Sequence, residues 1–170
     1  MRGRLTKLAL AGALAVVLAG CSIFSTSGRG EAGGSQDQLT EYLDTGHPKA
    51  ALGLADQLVA EQPENYERYL TRNTVYLAMH DFDAAMKDNE AALKAYEANP
   101  AAYTEQERPA RLAAIHESFA ITALLAAKAE TVVGKRKEWA KIYEEHAAKV
   151  KELDAETYRH LRGMQGEAVE

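Results

Sequence analysis

Cysteine occurs once in these 170 residues, at Cys21, so neither an intramolecular disulfide nor a multi-cysteine zinc or iron–sulfur centre can form. There is no basic excess either: 20 Lys and Arg stand against 25 Asp and Glu, and a net charge of -5 is the wrong sign for a nucleic-acid binder. No Val/Ile/Thr run alternates with a period of two, which argues against strands. A glycine-rich phosphate loop is missing. The zincin pattern begins at His116-Glu117 and fails at Ala120, where the second histidine belongs. The other histidines, 47, 80, 146 and 160, have no histidine four residues on, and Glu156 with His160 on one helix face makes only two ligands. Ser118 lacks a glycine elbow, while Asp81/Asp83 and Glu144/Glu145 read as helix-start and solvated-face charges. No metal, cofactor or catalytic activity is therefore expected. What the chain does have is 46% hydrophobic and 26% charged residues, the balance of a globular domain rather than of a disordered acidic tail.

The N-terminus is about transport. Arg2, Arg4 and Lys7 precede an apolar run, Leu8 to Ala19, too short to span a bilayer stably but suited to a signal-peptide core. The run ends in Leu18-Ala19-Gly20-Cys21, which closely resembles the lipobox of bacterial lipoproteins. That resemblance implies a signal peptide over residues 1–20, cleavage before Cys21, a diacylglycerol on its thiol and an acyl chain on the new amino group. Several acyl chains exceed the two signals that stable anchoring needs. Ser22, where Asp would imply inner-membrane retention, favours an outer-membrane lipoprotein facing the periplasm. Loss of residues 1–20 removes three positive charges and leaves -8, so the body should stand off anionic headgroups. Residues 21–35 then form the lipidated cysteine and a flexible Gly/Ser-rich tether.

Beyond the tether, apolar residues recur at i, i+3, i+4 and i+7, and the fold class is all-α. Gly46-His47-Pro48-Lys49-Ala50-Ala51 opens a helix that carries Leu52, Ala55, Leu58 and Val59 and ends before Pro63. His80-Asp81-Phe82-Asp83-Ala84-Ala85 does the same about 34 residues later. With Tyr42 and Tyr76 at an aromatic position and Ala51 and Ala85 at a small one, this period resembles the tetratricopeptide (TPR) repeat. An alanine at the crossing lets two antiparallel helices approach closely, and the aromatic fills the groove beside it. Residues 36–98 are thus expected to form two TPR-like repeats. The departures are Asn73 where glycine is usual, Ala55 and Asn89 where an aromatic is usual, and Pro100 three residues past the terminal proline position.

Thr104 and Glu107 have capping-box spacing, with Pro109 near the same helix start. Leu112, Ile115, Phe119, Thr122, Ala126, Ala129 and Val133 make one stripe ending at Gly134. A last helix is expected to turn Trp139, Ile142, Tyr143, His146, Val150 and Leu153 inward. Residues 104–162 would then be a long helical pair capping a short solenoid, with 163–170 frayed. Lys135-Arg136-Lys137 falls in the expected turn, where cations suit the end of the preceding helix.

The TPR resemblance also implies a groove lined by first-helix side chains, which by alignment are Thr40, Leu43, Glu67, Leu70, Thr71, Thr74 and Leu77. One TPR subclass clamps a C-terminal carboxylate with Lys and Asn where this chain has Leu70 and Thr74, so apolar or backbone recognition is expected instead. The resulting expectation is a lipid-anchored envelope adaptor that recruits or positions another envelope protein. The anchor would work by raising the effective concentration for a nearby partner. The alternative is a periplasmic carrier or sensor of a small molecule or lipid, with Phe119, Trp139 and Tyr143 lining a pocket between the C-terminal helices.

Overall fold

The computed structural model describes residues 32–166, so the signal segment, Cys21, most of the tether and the last four residues lie outside the described residues. Within them the chain is all-α. Its helices are α1 (Ala32–Asp44), α2 (Pro48–Glu61), α3 (Tyr66–Ala78), α4 (Phe82–Ala98), α5 (Glu107–Ala129), α6 (Val133–Leu153) and α7 (Ala155–Gln165), with a 3-10 turn at Pro100–Ala102. Two compact units divide within α2, one up to Leu54 and one from Ala55.

In the first unit, Leu39 and Leu43 of α1 and Ala51 of α2 are buried, the last completely. Between the helices the chain reverses through a Schellman turn. The Gly46 amide donates to the Leu43 carbonyl at 3.1 Å and the His47 amide to the Tyr42 carbonyl at 2.7 Å, with Gly46 left-handed at φ 75°. The second unit contains the same turn one period later. There the His80 amide donates to Leu77 at 3.1 Å and the Asp81 amide to Tyr76 at 2.9 Å, with His80 at φ 59°. Ala85, the counterpart of Ala51, is also completely buried. The period read from side chains is therefore present in the backbone, and adjacent helices pack as they do in a helical repeat.

In the second unit, α3, α4 and α5 have a side-chain cap where they start. Asn65 caps α3 by accepting from the Glu67 amide at 3.0 Å, and Asp81 caps α4 by accepting from Ala84 at 3.0 Å. The capping box ahead of α5 forms, with the Glu107 carboxylate accepting from the Thr104 amide at 2.9 Å and hydroxyl at 2.8 Å. Those bonds hold its carboxyl down to about 2. Pro109 lies in the first turn, where its missing N–H has no partner to lose. α5 packs against α3, α4, α6 and α7. By length and composition it could cross a membrane, yet half of its apolar window is buried because those four helices use it as their common surface.

Four boundaries differ from the expectations. The first helix begins at Ala32 rather than 36 and takes the Gly-rich end of the tether as its opening turn. α5 stops at Ala129 instead of reaching Gly134, since Glu130 turns extended and its Oε1 accepts the Thr131 and Val132 amides, both at 2.8 Å. Val133 consequently leaves the apolar stripe and is 62% exposed. The last helix is two helices. Asp154 breaks it by accepting from the Glu156 and Thr157 amides at 2.8 and 3.0 Å, so the expected pair is the α5–α6 hairpin plus α7. Gly163 does not start a frayed tail: α7 runs to Gln165 and ends at Gly166 with φ 89°.

Candidate interaction surface

The groove residues expected from the repeat alignment divide into core and surface. Leu43 (8% exposed), Thr74 (9%) and Leu77 (3%) are buried and unavailable to a ligand. For Thr74 and Leu77 the reason is that α3 packs on both α4 and α5, which occupies more of its circumference than one groove wall would. Thr40, Glu67, Leu70 and Thr71 are half-buried. The Thr40 hydroxyl donates to the Gln36 carbonyl at 3.0 Å and that of Thr71 to Glu67 at 2.9 Å, which leaves their methyl groups as the contact surface. Leu70 packs against the core cluster that contains Tyr66, Ala92, Tyr96, Ile115 and Phe119.

Behind Leu70 is an aromatic–cation cluster. Tyr66 meets Tyr96 and Tyr103 edge-on, both at 5.8 Å, and Tyr96 stacks on Tyr103 at 5.4 Å. The Arg111 guanidinium sits 4.7 Å above the Tyr103 ring and donates to Glu67 at 3.0 Å, Glu107 at 3.1 Å and the Tyr66 hydroxyl at 3.3 Å. Burial pushes the Tyr66 phenol well above its ordinary range despite the arginine. Glu67 is thus committed to an ion pair rather than offered to a peptide. Along the same helix, Arg72 forms a bidentate pair with buried Asp88 at 2.9 and 2.7 Å and reaches Asp56 at 2.9 Å. Burial raises the Asp88 carboxyl, and the guanidinium holds it back.

Two other polar groupings lie deeper. Asn73 and Asn89, the departures from the repeat pattern, form a buried network with α5. Asn73 Nδ2 donates to the Ala85 carbonyl at 2.8 Å, to Asn89 Oδ1 at 3.1 Å and to Thr122 Oγ1 at 3.2 Å. Asn89 Nδ2 donates to Thr122 at 3.0 Å and Ser118 donates to Asn89 at 2.7 Å. A polar seam has replaced the glycine and the aromatic. His116 and His146 are brought together between α5 and α6, Nδ1 to Nδ1 at 3.0 Å, with Phe119 stacked on His146 at 4.1 Å. Burial, aided by Lys149, pushes His116 down to about 4, and burial with the neighbouring His116 does the same to His146. Sequence distance hid this pair, although both residues lie on buried helix faces.

No protein-family model, curated protein or solved structure matches this chain.

Trp139 packs against the core cluster that holds Tyr143, but the three residues of the carrier alternative do not line one cleft. Phe119 is buried on His146, and Tyr143 borders an open cleft of about 420 Å³ with Leu124, Ala140 and Gln165. Trp139 lines a separate cleft of about 530 Å³ with Phe82, Ala126 and Ile142, rimmed by Asp81, Asp83, Glu130 and Glu138. Neither cleft holds all three. Among the described residues no three His, Cys, Asp or Glu side chains could hold a metal ion together.

Proposed function

We propose that this chain is a lipid-anchored cell-envelope adaptor that binds another protein through the accessible side of its repeat helices. It is not an enzyme in this reading. The recurrence, one repeat period on, of a single turn that is left-handed at Gly46 and at His80 and followed by a fully buried alanine carries it. Repeats of this length stack helices so that one face stays available to an extended partner. Leu70 and Thr71 offer small apolar contacts, and with Glu67 engaged by Arg111 the recognition is apolar rather than ionic. The Leu-Ala-Gly-Cys sequence at 18–21 supports the anchor, on the outer membrane facing the periplasm, and Cys21 is its attachment atom.

The test is a photo-crosslinking residue at Thr71 in the full chain, expressed in a bacterial envelope. One dominant envelope-protein adduct is expected. Its absence, or an adduct pattern unchanged when the crosslinker is moved to exposed Glu152, would remove the adaptor reading. Acylation is checked separately by fatty-acid incorporation, which Cys21→Ser should abolish.

A further inference from the structure

We propose a second contact site, independent of the repeat helices: the α5–α6 turn is a tip that docks on anionic lipid headgroups, with Val132 and Val133 entering the interface. These are the large hydrophobic side chains left exposed among the described residues, at 55% and 62%, and they are consecutive. Their exposure is built in. Glu130 Oε1 accepts the Thr131 and Val132 amides, Arg136 Nε and Nη2 donate to the Glu130 carbonyl at 3.1 and 2.9 Å, and the Arg136 amide donates to Val132 at 2.9 Å. The turn is tied from both sides, and the valines are held out of it.

Charge identifies the occupant. Lys135, Arg136 and Lys137 belong to the opening of α6, which contains no acid in its first turn and has Val132 at its cap position. Cations at the positive end of a helix dipole oppose helix formation. Lys135 and Lys137 form no salt bridge within the described residues that would compensate. Arg136 is engaged by the Glu130 carbonyl and Lys135 gains only the attraction of the Glu130 carboxylate, so two lysines that oppose the start of α6 without an ion pair point to a role outside the fold. Two apolar side chains beside clustered cations match a bilayer interface carrying anionic lipid: the ammonium groups meet phosphates, and the valines reach the acyl boundary. Glu130 and Glu138 on the tip, and Asp81 and Asp83 across the adjoining cleft, restrict the contact to the tip itself. The acidic remainder of the chain stays off the surface, so the contact is weak and orienting rather than anchoring.

The experiment uses the full chain with Cys21→Ser and Val133→Cys labelled by an environment-sensitive nitrobenzoxadiazole fluorophore, and a second chain labelled at Glu152→Cys. Each is mixed with vesicles of phosphatidylcholine alone or with phosphatidylglycerol added. A severalfold, blue-shifted rise at position 133 is expected only with phosphatidylglycerol. It should disappear at high salt and in the Lys135→Glu/Lys137→Glu variant. That variant should melt no earlier than its parent, because acids suit a helix start, so lost binding cannot be lost folding. No response at position 133 would overturn the proposal and leave an acidic protein as the partner of the cluster. An equal response with phosphatidylcholine alone, an equal response at position 152, or a response that survives charge reversal would each overturn it too.

Discussion

His80 occupies the left-handed conformation that Gly46 supplies at the equivalent place in the first repeat, and only one of the two residues adopts it without strain. His80→Gly should therefore raise unfolding stability by about 0.5–1 kcal/mol, the relief of strain outweighing the entropy glycine adds to the unfolded chain. Gly46→Ala should lower it by about 1 kcal/mol, since its added Cβ meets no neighbour and the conformation itself is what opposes it. Urea titration of both variants checks the pair, and equal effects at the two positions would refute it. Thr122 gives a second case. Its hydroxyl oxygen accepts from both Asn73 and Asn89; Asn73 keeps its bonds to Ala85 and Asn89 Oδ1, but the near-isosteric Thr122→Val strands the buried Asn89 donor and should cost about 1–3 kcal/mol. The histidine pair makes stability depend on pH. In the unfolded chain both imidazoles protonate near 6.5, whereas in the folded chain they stay neutral to about 4. The unfolded state then binds more protons between those values. Stability complete above pH 6.5 is lost as pH falls towards 4, with a slope of up to about 1.4 kcal/mol per pH unit per histidine. Unfolding at pH 7 and pH 5 should differ more for the parent than for His116→Leu/His146→Phe. A slope unchanged in that variant would assign the acid sensitivity elsewhere.

The helices show which boundaries a sequence announces. Asn65, Asp81 and the Thr104/Glu107 box are side-chain caps placed directly before apolar periodicity, and each opens a helix. The two missed breaks are of another kind. Apolar spacing runs on through Val132 and Val133, and through Leu153, so the periodicity does not reveal that Glu130 and Asp154 turn their carboxylates onto the amides ahead of them. Such a bond competes with helix continuation only once packing decides the matter. At Asp154 the consequence can be measured. Asp154→Ala removes the acceptor for two amides and should cost about 1 kcal/mol. Because α7 is short and packs mainly on α5 and α6, the loss should be seen first as faster hydrogen exchange in its amides, with α5 unaffected. Uniform acceleration across all helices would mean that α7 is not separately held. Misplacing the first break also inverted the meaning of the basic cluster: after a helix Lys135 to Lys137 would stabilise it, but at the start of α6 they work against it.

For the whole molecule, the fold class and the repeat were legible because they rest on spacing, which tertiary context leaves intact. The candidate surface was only half legible. Alignment places Leu43, Thr74 and Leu77 on first helices correctly, but which side of a helix stays open depends on the residues packed against it. For Thr74 and Leu77 it is α4 and the long α5 that decide it, and no repeat pattern describes α5. What the proposed surface retains is small: Leu70 and Thr71 are too few to give a tight complex unaided. If the proposed anchor confines the chain and its partner to one membrane, the encounter takes place at an effective concentration in about the millimolar range. Affinity too weak in solution then suffices. Cys21→Ser should leave the helical circular dichroism spectrum unchanged and lower crosslinking through Thr71 sharply, by a factor of about 10² or more at equal expression. Raising the concentration of the unanchored chain should restore the adduct. Loss that no concentration restores would mean that the lipid contacts the partner directly. Crosslinking indifferent to Cys21 would mean that the repeat surface binds on its own, and that the anchor serves location alone.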